Sequence, residues 1–261
     1  MDNPLTGSYQ RWLIPEPHEW HDRKEYWVTA HSEHQYADVF SVNEDEAVRK
    51  CIVEAALESP TQKEIMIVGC GSRVSLQRDL IAHTGDDTKI IATDYQAVID
   101  LAQSQYSHPR LTYVALEEQV AFEARFDVVI AVNVMVSDSD VENRRLVSEW
   151  SRSLVHCGRL VALAPILSAG YELGTLAARP DLLRCLRCEE SRWIEKHQGI
   201  TEIEYLPLRL RRLLKEAGLG LLELRILFFE GSASRRQTLV HYGIDDDDLL
   251  VYEQLIVATR N

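Results

Sequence analysis

Residues 64 to 94 constrain the fold of this chain more than any other stretch. Glu64-Ile-Met-Ile-Val68 is an apolar run, and Gly69-Cys-Gly-Ser-Arg73 follows it. Val74 to His83 has amphipathic helical spacing, and Lys89-Ile-Ile-Ala-Thr-Asp94 is a second apolar run that ends on a carboxylate. Strand, glycine turn, helix and strand in that order build the first half of a nucleotide-binding α/β unit. The glycines let backbone approach a ligand, and the helix start directs N–H groups toward it. An acid at the tip of the second strand is placed to accept hydrogen bonds from ribose hydroxyls.

Charge narrows the partners. The 261 residues carry a formal charge of −13, which disfavours a nucleic-acid or anionic-membrane surface, since either needs clustered cations. No run of about 18 apolar residues occurs, so no membrane-spanning helix is expected. The start Met1-Asp-Asn-Pro-Leu5 lacks the basic and apolar regions of a signal peptide, and a cytoplasmic protein is the expectation. The five cysteines, Cys51, Cys70, Cys157, Cys185 and Cys188, are odd in number and read as free thiols. Cys185-x-x-Cys188 has no second pair at zinc-ribbon spacing, so no metal is expected.

Residues 1–44 read as an arm rich in aromatics and histidines, holding three of the five tryptophans and broken by Pro15 and Pro17. Such an arm either docks on the core through its rings or forms a lid over a small-molecule site. Residues 45–261 then read as one domain. A helix is expected over Val42–Leu57 with Asn43 as N-cap. Strands are expected at Ile65–Val68, up to Asp94, at Leu111–Leu116, Phe126–Val132 and Arg159–Ala164. Helices are expected at Ala97–Gln105 and Asp140–Val155, the latter capped by Gly158. Residues 166–206 are too long for an ordinary connection. They read as an insertion over the C-terminal edge of the sheet, with a helical piece at 181–195. A helix from Pro207 to Ala217 precedes strands at Leu221–Phe229 and Leu249–Thr259, and Asp245 to Asp248 reads as a solvated turn. Two final strands without a helix between them are antiparallel neighbours. The expected fold is therefore α/β: a seven-stranded, mostly parallel, doubly wound sheet with an antiparallel last strand and helices on both faces.

The third glycine of a dinucleotide fingerprint is replaced by Val74, which counts against NAD, and no P-loop Gly-Lys-Ser/Thr is present. Val68-Gly-Cys-Gly-Ser72, Ala92-Thr-Asp94, Phe126-Asp-Val-Val-Ile130, Leu154-Val-His-Cys-Gly-Arg-Leu-Val161 and Leu206 to Gly218 are a different set. In that order and spacing they resemble the successive motifs of class I S-adenosylmethionine-dependent methyltransferases, over about residues 45–260. The glycine turn itself is similar to a branch that includes protein-lysine methyltransferases. The resemblance implies S-adenosylmethionine as cofactor. It implies that Gly69, Cys70, Gly71, Ser72 and Arg73 form the cofactor turn and that Asp94 binds the ribose. Tyr95, Leu116 and Glu117 would meet the adenine, and Asn133 would lie near the transferred methyl. Two positions depart from the family pattern: Ile67 stands where an acid is usual, and Arg73 where a third glycine is usual.

Methyl transfer from a sulfonium is an in-line displacement, for which an enzyme supplies proximity and alignment. An oxygen or amine acceptor also needs a group to take its proton. The candidates are His31, His34, His197 and Tyr36, with Tyr205, Asn133 and Asp138 further possibilities. Asn133-Val-Met-Val136 is not the Asn/Asp-Pro-Pro-Tyr of the adenine and glutamine enzymes, which disfavours that chemistry. A small-molecule O-, N- or C-methyltransferase is the first reading, with a homodimer as the expected assembly if the chain associates. A protein (lysine or N-terminal) methyltransferase and a methyltransferase-like binding protein without catalysis are the alternatives. A nicotinamide-dependent oxidoreductase is the remaining one.

Overall fold

A computed structural model describes residues 23–32, 45–59, 62–116, 122–135, 137–184, 186–187, 192–195, 200–230, 239, 243–246 and 248–261. Helix α1 spans Arg23–Ser32 and α2 Glu46–Leu57. Strand β1 (Glu64–Val68), α3 (Ser75–His83), β2 (Lys89–Asp94), α4 (Gln96–Gln105) and β3 (Leu111–Ala115) form the first half of the sheet. Strand β4 (Phe126–Val132), α5 (Asp140–Ser153) and β5 (Leu154–Ala164) follow. Next come α6 (Leu167–Leu176), α7 (Pro180–Leu183) and three short strands, β6 (Leu186–Arg187), β7 (Arg192–Glu195) and β8 (Ile200–Ile203). Helix α8 (Pro207–Glu216), β9 (Leu219–Phe229) and β10 (Val251–Arg260) close the chain.

The main sheet has seven strands in the order β3-β2-β1-β4-β5-β10-β9. Neighbours from β3 to β5 pair parallel, and β10 runs antiparallel between β5 and β9. The expected seven-stranded doubly wound sheet is the one observed. Its strands bury both faces, as apolar runs without alternation must. On one face Ile65, Ile67, Val128, Ile130, Val161 and Leu255 pack against α2 and α3. On the other, Met66, Val129, Leu160 and Ile256 pack against Val147 and Trp150 of α5 and Leu210, Leu213 and Leu214 of α8. Asp127, between two core residues of β4, points its carboxylate at the start of β1 and accepts from the backbone N–H groups of Lys63 and Glu64 at 2.8 and 2.9 Å.

Several sequence expectations are corrected. Helix α2 starts later than Val42, and its N-cap is Asp45, whose side chain accepts from the Val48 N–H; Asn43 lies outside the described residues. Helix α5 stops at Ser153, and β5 begins at once, without a Gly158 cap. The pairing of β4 with β5 jumps from Phe126–Leu154 to Val128–Arg159, so residues 155–158 bulge and Cys157 adopts a left-handed φ of 62°. Gly158 is needed for space instead: a Cβ there would lie 2.9 Å from the Val155 carbonyl oxygen and 3.1 Å from that of Phe126. The helix read over 181–195 reduces to the four residues of α7. The chain then forms an antiparallel three-stranded sheet, β6-β7-β8, using Trp193, Ile194, Thr201 and Ile203, residue types that favour strands.

One side chain holds both ends of this excursion. Gln254 of β10 is fully buried, and its Nε2 donates to the carbonyl oxygens of Pro165 at 3.3 Å and Tyr205 at 2.9 Å. Tyr205 in turn donates its hydroxyl to Asp140 at 2.7 Å, and Asp140 also accepts from Arg144 and Arg209 at 2.6 and 3.2 Å.

Candidate functional site

Gly69 and Gly71 have φ of 64° and 67°, left-handed values that an L side chain avoids. At Gly69 space is closed as well: an added Cβ would lie 2.5 Å from Cγ2 of Val134, just past β4. The turn following β1 and the loop following β4 are therefore in direct contact. The turn is also fastened to β2. Cys70 donates its N–H to the Thr93 carbonyl at 3.1 Å, and Gln77 of α3 donates to the Cys70 carbonyl at 3.2 Å.

Asp94 closes the turn. Its Oδ2 accepts the Gly71 N–H at 2.8 Å, and its Oδ1 accepts the Tyr95 N–H at 2.8 Å. A carboxylate oxygen accepts more than one hydrogen bond, and these two bonds fix the buried Asp94 at the tip of β2. Cys70, inside the turn, is no nucleophile. Burial, and then the Asp94 charge, push its thiol well above the ordinary range, which keeps it protonated.

Helix α1 lies on this turn. His31 places Nδ1 3.2 Å from the Ser72 hydroxyl and 3.5 Å from the Ser72 N–H. Both contacts are satisfied with Nδ1 accepting and the ring proton on Nε2. Burial lowers the imidazole to about 4, so it is neutral at pH 7. Lys24 of the same helix sits 5.8 Å from the Tyr95 ring centroid. The sequence-derived residues Gly69, Cys70, Gly71, Ser72, Asp94, Tyr95 and His31 are thus brought together around one turn. Arg73 follows them half-buried, and Leu116, also half-buried, follows β3 at the same sheet edge. His34, Tyr36, Glu117 and His197 lie outside the described residues, as do Cys185 and Cys188.

Ile67, where the family pattern carries an acid, is fully buried in the core face shared with α2 and α3. Asn133 stands immediately after β4 with a left-handed φ of 53° and donates its N–H to the Leu163 carbonyl at 2.9 Å. Its side chain donates through Nδ2 to Oε1 of Glu253 at 3.2 Å. Glu253 is a residue that reading the sequence overlooked. The signal was present: Glu253-Gln254 is a polar pair inside an apolar strand expected to lie within the sheet, and buried polar groups there require a reason. Burial pushes the Glu253 carboxyl up to about 8, the Asn133 hydrogen bond pulls it down, and the charge of Glu202 pushes it up again.

The described residues define the Rossmann-like fold of class I S-adenosylmethionine-dependent methyltransferases. No family model matches the chain, and no curated protein does. Solved structures do match in fold. Magnesium protoporphyrin IX methyltransferase from Synechocystis, a structure with bound S-adenosylhomocysteine, superposes with a TM-score of 0.60 at 13% identity, covering 91% of this chain and 98% of that one. A chain from the complex of the Haloferax volcanii Trm112 methyltransferase activator with a methyltransferase gives 0.57 at 12% identity, with coverages of 92% and 98%. The [4+2]-cyclase SpnF gives 0.55 at 15% identity, with coverages of 82% and 80%. At these identities the likeness concerns the fold.

Proposed function

We propose that this chain binds S-adenosylmethionine and transfers its methyl group to a small-molecule acceptor. The observation that carries the reading is Asp94, buried at the tip of β2 and clasped by the N–H groups of Gly71 and Tyr95. It stands beside a turn whose two left-handed glycines leave backbone, not side chain, against a ligand. That set suits the cofactor. The backbone of Gly69 to Ser72 would pass its methionyl and ribose part, Asp94 would accept from the ribose hydroxyls, and Tyr95, Leu116 and Glu117 would meet the adenine. Arg73 would lie toward the carboxylate end, and Asn133 toward the methyl. When bound, the cofactor supplies a methyl group activated on a sulfonium sulfur. The protein's contribution is to orient that group and keep water out.

A small acceptor is favoured by what covers the edge. Helix α1 docks directly on the turn through His31 and Lys24. The three-stranded sheet is tied to the loop following β4 by the Ile203 N–H donating to Ser137 at 3.1 Å. We read residues 1–44 as a lid on residues 45–261, and 166–206 as a second cover. His34, Tyr36 and His197 belong to these covers and are the candidates for taking the acceptor's proton, whereas the Nδ1 of His31 is already engaged by Ser72. The protoporphyrin enzyme, which shares the fold, acts by its name on a small molecule.

Calorimetric titration with S-adenosylhomocysteine tests the reading. Binding is expected, and Asp94→Ala should weaken it about 10-fold to 100-fold, the worth of hydrogen bonds to a charged group. No binding, or preferential binding of a nicotinamide nucleotide, overturns it. A cyclase with the same fold makes the second measurement necessary. Labelled methyl donor incubated with cell extract should mark small molecules; label in a protein band would move the acceptor to the protein class.

A further inference from the structure

Strand β9 ends the main sheet, and among the described residues nothing pairs with its outer edge. The strand is 11 residues long, so that edge presents a long row of backbone N–H and C=O groups. Single chains blunt such an edge with a short strand, a proline or several charges. Leu219-Gly-Leu-Leu-Glu-Leu-Arg-Ile-Leu-Phe-Phe229 has no proline and is apolar apart from Gly220, Glu223 and Arg225. Leu222, Ile226 and Phe228 are 56%, 39% and 47% exposed. A bulge passes over Leu222, between the pairs Val257–Glu223 and Ala258–Leu221, and from Glu223 to Phe229 the register with β10 is unbroken.

The two charges decide what fits this edge. Glu223 and Arg225 lie opposite Val257 and Leu255, on the sheet face that packs against α2. They pair with each other at 2.8 Å and stay 38% and 43% exposed. Their charges cancel, so β9 brings no net charge to an edge contact although the chain carries −13. A second β9 laid antiparallel and centred on Leu224 sets residue 223 of each copy opposite residue 225 of the other. Glu223 then faces Arg225 of the second copy, and Arg225 faces its Glu223. The same register sets Leu222 of each copy opposite Ile226 of the other. Moving the centre to residue 223 or 225 would instead oppose two glutamates or two arginines, which is destabilising.

We propose that β9 is a self-association edge, through which two copies of this chain pair antiparallel over residues 222–226 and join their sheets. The ladder supplies partners for backbone groups of the edge. The reciprocal Glu223–Arg225 pairs fix its register, and Leu222 and Ile226 leave water together. The contact is isologous: each copy offers the same patch to the other. A strand from a different protein would supply the ladder but not the reciprocal charges. Strands β4, β5 and β10 separate this edge from β1 and its glycine turn, so the association is independent of what that turn binds.

Sedimentation of the full chain tests this, at about 0.15 M salt, where the Debye length is about 8 Å. A dimer is expected by about 100 μM, within reach of a weak interface; a monomer there overturns the proposal. E223R would gather four cations at the centre of the ladder and R225E four anions. Each should weaken the dimer about tenfold or more. Mixing E223R with R225E should restore it, because the mixed pair opposes unlike charges at both positions, and the double variant E223R/R225E should restore it alone. A dimer that neither reversal weakens, or a loss that neither the mixture nor the double variant repairs, overturns the proposal. Amide hydrogen exchange at residues 222–226 reads the edge without any substitution, whether or not the variants fold. Protection of the outward N–H groups should rise with concentration across the dimer range. Protection that ignores concentration would assign the edge to a segment of the same chain, and absent protection would leave it uncovered; either result overturns the proposal.

Discussion

At the scale of single residues, geometry makes sharp demands in the glycine turn. Gly69 is both left-handed and closed by Val134. Gly69→Ala should therefore cost about 2 kcal/mol or more through combined strain and clash, seen as a lower midpoint in urea unfolding. Gly71 is left-handed, and among the described residues only the His31 ring comes within 3.4 Å of an added Cβ. Gly71→Ala should cost about 1–2 kcal/mol, from the backbone alone. His31 adds a pH dependence. Its docked value of about 4 lies below the ordinary 6.5, so the undocked state binds more protons between those values. The docked arrangement is fully favoured above about pH 6.5 and loses stability as pH falls toward 4. Amide hydrogen exchange in α1 should accelerate across that window, and His31→Gln should flatten the change. These demands were legible in part. Gly69, Gly71 and Asp94 announced themselves by residue type and order. The contact of His31 with Ser72 crosses 41 positions, and no local pattern encodes it.

At the scale of elements, the central strands were readable because burial on both faces leaves near-continuous apolar runs, as in Phe126 to Val132. The insertion was not. Strands of two and four residues are too short to show a period, and Leu182, Leu183 and Leu186 suit either state. The junction of α5 and β5 was misread for a related reason. Gly158 resembles a helix cap in sequence, but its need is the close approach of the Phe126 and Val155 carbonyls, which follows from sheet register. The insertion packs on a cluster of its own, Leu167, Leu173, Leu182 and Leu186, and its exit is fastened by Asp140. Asp140 gathers Tyr205, Arg144 and Arg209. Burial alone would raise its carboxyl, but the hydrogen bonds from Arg144 and Tyr205 prevail and hold it below the usual range. Tyr205→Phe removes one of these bonds and should cost about 1 kcal/mol at neutral pH, measured by chemical denaturation. Its cost should shrink as acid protonates Asp140.

At the scale of the whole molecule, Glu253 sets an unusual pH profile. A carboxyl raised from 4.5 to about 8 by folding binds its proton more tightly in the native state. Stability is then highest below about pH 4.5 as far as this group is concerned, and falls as pH rises toward 8. Glu253→Gln should remove that decline and stabilise the protein at pH 8.5 by on the order of 2 kcal/mol, a gain visible in thermal unfolding. The pair Glu253-Gln254 stood in the sequence as two polar letters in an apolar strand, but their separate uses depended on which sheet face each met.

Gln254 meets the stems of the excursion. The last strand grips Pro165 and Tyr205 through Gln254, and between those points it also meets the excursion through Tyr252, whose hydroxyl donates to Ser168 at 3.3 Å. The excursion is thus braced to the last strand at its entry, in its first helix and at its exit. A change of length there should be tolerated only where it leaves those three contacts in place, while the half that holds the turn and Asp94 is set apart from them by β4 and β5.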